Sequence, residues 1–106
     1  KLDGQMAMTK ELIGLGFSQK TTLLRLAQGH KLLETIDGNT RLYFLKGPKQ
    51  QGMDMIANNV FSSLMERNLM KMISSQVIDG GTIKKYTIKG QYIKDVMKWT
   101  QLNKAN

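Results

Sequence analysis

Cysteine is absent from this chain, and with it go disulfides, thiol nucleophiles and every thiolate metal site. That absence fits a reducing, cytoplasmic setting. Histidine occurs once, so neither a histidine ligand set nor a histidine pair is available. His30 follows an expected helix C-terminus, where a positive charge complements the dipole, and that structural role suits it better than general-base duty. No apolar run reaches the roughly eighteen residues of a membrane span, and no signal-peptide pattern occurs, so neither membrane insertion nor secretion is expected. The acids are few and scattered over expected turns, caps and helix faces, without a metal-ligand cluster. Gly14-Leu15-Gly16 and Gly80-Gly81 lack the Gly-Lys-Ser/Thr ending of a phosphate loop and read as turns. No cofactor and no catalytic activity are expected. The three tyrosines and three phenylalanines are not gathered into a stacking platform, which puts RNA behind duplex DNA as a ligand.

What the chain has in excess is positive charge. Sixteen Lys and Arg oppose eight Asp and Glu, a net charge of +8. The surplus is uneven: from Arg67 onward eight basic residues face only Asp79 and Asp95. Such an imbalance in a small domain points to a polyanionic partner, nucleic acid first and, less often, an anionic membrane or an acidic protein.

At 106 residues the chain has room for one core. It begins with Lys1 rather than methionine, as a trimmed or excised sequence would, and Met6 or Met8 could lie near a natural start. Residues 1–16 read as an N-terminal helix (5–13) or a partly ordered lead-in, and 17–106 as a single domain. Ser18 is placed to cap a helix over 19–28, which Gly29 would close in the left-handed conformation. Two runs rich in β-branched and aromatic residues flank Asp37-Gly38-Asn39-Thr40 and predict a hairpin over 31–46. A linker-like stretch, Lys46-Gly47-Pro48-Lys49-Gln50-Gln51-Gly52, follows.

Ile56, Val60, Phe61, Leu64 and Met65 share one side of a helix over 56–67, with Asp54 as its cap and Asn68 as its close. A second hairpin, 69–77 with 82–88, turns at Asp79-Gly80-Gly81. Gln91–Leu102 forms a last helix that buries Ile93, Val96, Met97 and Trp99. Tyr92, Met97 and Trp99 could close the core or form a homodimer seam around a two-fold axis.

Leu64, Leu69, Lys71 and Ile73 resemble the anchors of the recognition helix and first wing strand of bacterial winged-helix proteins. Residues 79–90, with Tyr86, Ile88 and Gly90, resemble the wing and its return strand. More weakly, Phe17-Ser18 and Thr22–Gly29, followed by a hairpin and the winged segment, are similar in order to a small family of bacterial winged-helix-like candidate toxins. The resemblance implies an α+β, winged-helix-like fold with an extra N-terminal β-hairpin, a wing hairpin and a C-terminal helix. It also implies binding of double-stranded DNA, as a regulator in a small or mobile genetic system. The hairpin at 31–46 stands where a winged helix usually carries a short second helix, a departure from a standard helix-turn-helix.

Carried onto this chain, the exposed side of the 56–67 helix would enter the major groove. Asn58, Asn59, Ser62 and Ser63 would face bases, because asparagine can pair bidentately with adenine and serine can donate or accept. Arg67, Lys71, Lys84 and Lys85 would neutralise phosphates and give affinity without sequence information, with Lys49 and Gln50, in the turn ahead of the helix, as further backbone contacts. Glu66 on the same face would be repelled by phosphates unless it accepts from cytosine. The alternative is a protein-binding module or small inhibitor or toxin that acts on a nucleic-acid enzyme, its basic face meeting an acidic protein.

Overall fold

The computed structural model describes residues 9–49 and 52–105. In chain order a short 3-10 turn (Lys10–Leu12) leads to α1 (Phe17–Ala27), β1 (Lys31–Asp37), β2 (Thr40–Lys46), β3 (Asp54–Ile56), α2 (Asn58–Glu66), β4 (Met70–Ile78), β5 (Gly81–Ile88) and α3 (Gly90–Ala105). The strands form one antiparallel sheet in the order β3-β2-β1-β5-β4. The architecture is α+β, and the two expected hairpins are joined through β1 and β5 into a single sheet.

The hairpin turns follow from residues that tolerate positive φ. Asp79 and Gly80 sit at φ 48° and 82°, the paired left-handed geometry that suits the natural twist of a two-residue hairpin. At the first hairpin only Gly38 of the central pair is left-handed, at 63°. That turn fixes the register of the pair, so Lys31 lies opposite Lys46 and Glu34 opposite Tyr43. A bulge between Met72 and Ser74 shifts the register of β4 against β5.

Alternation along the strands then separates two faces. Leu32, Tyr43, Leu45, Met70, Tyr86 and Ile88 are buried, and by register all lie on one side. The helices cover that side: Leu23 and Leu26 of α1, Val60, Phe61 and Leu64 of α2, and Tyr92 and Val96 of α3 complete the core. Leu12 and Leu15, from the lead-in, are buried in the same cluster. On the opposite side of the sheet no described strand residue is fully buried.

Several local expectations are corrected. The expected helix over 5–13 is, among the described residues, only the 3-10 turn; residues 5–8 lie outside them. Ser18 does not cap α1. The helix begins at Phe17, two residues earlier than expected, Gly16 is the cap residue, and the Gln19 side chain accepts the Gly16 N–H at 2.6 Å. Asp54 does not cap α2 either. It opens β3, where its carboxylate accepts from Arg25 at 3.0 Å, and Ala57 precedes the helix. The pull of a third strand onto β2 outweighs the capping preference. Ile56 belongs to this strand rather than to the helix.

On α3 the buried side contains Tyr92 and Val96, with Trp99 packed against the core, whereas Ile93 is exposed. Gly29 and Asn68 close their helices as expected, at φ 110° and 62°. No helix among the described residues is long and apolar enough to cross a membrane.

Candidate nucleic-acid interface

Helix α2 is held from below by an aromatic cluster. Phe61 stacks on Tyr43 with centroids 4.3 Å apart and meets Tyr86 edge-on at 5.2 Å. Under these rings lies Glu34, buried at 4% exposure and engaged by three donors. The Tyr43 and Tyr86 hydroxyls donate to it at 3.1 and 3.0 Å, and Arg41 does so at 3.2 Å. Burial, and then the bond to the Glu34 carboxylate, raise both phenols, that of Tyr86 to about 12. The carboxylate therefore stays saturated by neutral hydroxyl donors across the physiological range. Its effect is positional, since it fixes the platform on which α2 sits.

The outward side of α2 presents Asn58, Asn59 and Ser62 to solvent. Ser62 donates to the Asn58 side chain at 3.4 Å, a contact within the helix, and none of the three bonds to another element among the described residues. Ser63 is different. It is half-buried and its hydroxyl accepts from Gln19 at 2.9 Å, which ties α2 to α1. Glu66 is exposed at the end of the same helix.

The expected phosphate contacts do not form one patch. Arg67 is half-buried and donates to the backbone carbonyls of Glu11 and Ile13, so its guanidinium clamps the segment that carries Leu12. Lys49 is exposed in the loop after β2, and Gln50 lies outside the described residues. Lys84 shares the helix-bearing side of the sheet with Tyr86, whereas Lys85 points to the opposite side. Lys71 also lies on the opposite side, because its β5 partner is Thr87. The structure thus leaves Asn58, Asn59, Ser62 and Lys84 on one side of the sheet and Lys71 and Lys85 on the other.

Sequence reasoning missed two groupings. The Glu34 hub needs Tyr86, which only the long-range β1–β5 register supplies. The second is Lys31 and Lys46, which join Lys71 and Lys85 on the uncovered side. Extending the Asp37–Thr40 turn back along both strands would have paired these two lysines from the sequence. Among the described residues no group of three His, Asp or Glu side chains is placed to hold a metal ion. Comparison with known protein families, curated proteins and solved structures finds no match to the chain.

Proposed function

We propose that the chain is a non-enzymatic, winged-helix-like module that binds double-stranded DNA through α2, with the β4–β5 hairpin as its wing. A role in transcriptional regulation within a small or mobile genetic system, in the cytoplasm, accompanies that reading. The observation that carries it is the outer side of α2, where Asn58, Asn59 and Ser62 are exposed with no bond to another element among the described residues. An α-helix measures ~10–12 Å across its side chains, which matches a major groove ~12 Å wide. Lys84, on the same side of the sheet, is available for a flanking phosphate.

Anisotropy of a labelled random duplex, titrated at several salt concentrations, tests the proposal. Affinity should fall with salt, each neutralised phosphate contributing ~0.9 to the log–log slope. Asn59→Ala should then alter preference among sequences while leaving the salt slope in place. Absence of binding at low salt, or equal losses on every duplex, would remove the base-reading role of α2.

A protein-binding role has its own support. Phe17 is 84% exposed and lines a cavity of about 390 Å³ between α1 and β3. Large apolar side chains left in water beside a cavity suit a protein partner better than a phosphate backbone.

A further inference from the structure

The side of the sheet that faces away from the helices carries two bands. Lys46 and Lys31 stand directly opposite each other on β2 and β1. One step along, Met55, Phe44 and Leu33 follow one another across β3, β2 and β1, and Lys85 lies next to Leu33 on β5. The two rows lie two residues apart along the strands, ~6.8 Å at ~3.4 Å per residue, so the lysine band runs beside the apolar band within side-chain reach.

Like charges placed directly opposite on paired strands repel. Among the described residues neither Lys31, Lys46, Lys71 nor Lys85 has a carboxylate partner, and the only acid on this side is Asp37, at the far end of β1. The lysines also converge. Lys31, Lys46 and Lys85 border a depression of about 340 Å³, with Leu33, Ile83 and Gln76 among its other lining residues. Three cations from three strands, an apolar surface and one amide converge on one hollow.

We propose that this uncovered sheet face is a binding site for single-stranded nucleic acid, with one nucleotide seated in the depression. Lys31, Lys46 and Lys85 hold consecutive phosphates, and Leu33, Ile83 and Phe44 receive the unstacked bases. A duplex fits the face poorly, because it presents phosphate ridges and leaves the apolar band facing water. A single strand offers charge along one edge and base faces along the other, which is the arrangement of the two bands. A second copy of this chain is disfavoured because its lysines would meet these lysines across a two-fold axis. The site lies on the opposite side of the sheet from α2 and does not depend on the duplex reading.

The test is anisotropy of a fluorescein-labelled decathymidylate between ~50 and ~200 mM salt. The wild-type chain should bind with a log–log salt slope of about −2, from ~0.7 for each of three phosphates. The triple variant Lys31→Ala, Lys46→Ala, Lys85→Ala should lose affinity by ~10-fold or more and flatten that slope towards zero. Phe44→Leu should weaken binding several-fold with the slope unchanged, as loss of base stacking requires. Asn59→Ala should leave binding to the single strand unaffected, so failure here and failure of the duplex reading are separable.

Lysine acylation of the wild-type protein, read by mass spectrometry, gives an answer independent of how the variants fold. Decathymidylate should protect Lys31, Lys46 and Lys85 more than Lys94 and Lys98 on α3. Uniform protection, an unchanged slope in the triple variant, or equal displacement by polyglutamate with no effect of Phe44→Leu would overturn the proposal. The last of these results would indicate an acidic protein instead.

Discussion

Glu34 is the residue on which most of the interior polar chemistry converges. A carboxylate at this depth is tolerable only because two phenols and a guanidinium saturate it. Truncation by Glu34→Ala leaves the Tyr43 and Tyr86 hydroxyls without their acceptor in a packed aromatic cluster. Loss of about 3 kcal/mol of stability is expected, measured by urea denaturation, since each stranded buried polar group costs ~1–3 kcal/mol. The half-exposed Arg41 makes a weaker case. Arg41→Ala should cost about 1 kcal/mol, because both phenols stay in place and water can replace the guanidinium.

The same cluster dictates an alkaline limit. Folding favours the neutral phenol of Tyr86, whose pKa rises from 10.0 to about 12. Its contribution is therefore complete below pH ~10 and is lost as the pH climbs through about 12. The comparison must be internal, wild type against variant at each pH. Tyr86→Phe should be less stable than wild type at pH 8, with the gap narrowing between pH ~10 and ~12. A gap of constant width across that window would show that Tyr86 does not titrate with unfolding.

Arg67 separates a phosphate contact from a structural clamp. Its guanidinium donates to the carbonyls of Glu11 and Ile13, and the segment between them carries the buried Leu12. Arg67→Ala should lower stability by ~1–2 kcal/mol, and hydrogen exchange should quicken first at residues 10–15. The salt slope for any DNA should stay at its wild-type value.

At the scale of elements, the turns were the most legible features. Asp79-Gly80 and Gly38-Asn39 specify local backbone conformations that few residues adopt, so both hairpins could be placed without any tertiary information. Gly80→Ala tests this directly. Nothing lies within 4 Å of an added Cβ, so only the left-handed backbone at φ 82° opposes it, and a loss of ~1–2 kcal/mol is expected in urea. Caps were less legible. Asp54 looks like a helix cap in isolation, yet pairing of β3 with β2 and the bond from Arg25 draw it into a strand. Such competition between a local preference and a long-range pairing cannot be read from spacing. The same limit hid which lysines share a face, since β4 and β5 acquire their sides only through β1 and the bulge at Ile73.

For the whole molecule the consequence is that the lysines of the sheet are divided between its two sides rather than gathered on one. Counting charge along the sequence puts Lys71, Lys84 and Lys85 together, whereas strand alternation sends Lys84 to the helix side and the other two away from it. If duplex DNA lies along α2, only lysines on that side can release counterions from it. Lys84→Ala should reduce the magnitude of the duplex salt slope by ~0.9, and Lys71→Ala should leave the slope unchanged. Equal reductions by both variants would mean that the duplex wraps the sheet edge or docks on the opposite side. The assignment of α2 as the reading helix would then have to be abandoned. Both positions are exposed or half-exposed and neither lysine takes part in an ion pair among the described residues, so both proteins should remain folded and the slopes comparable.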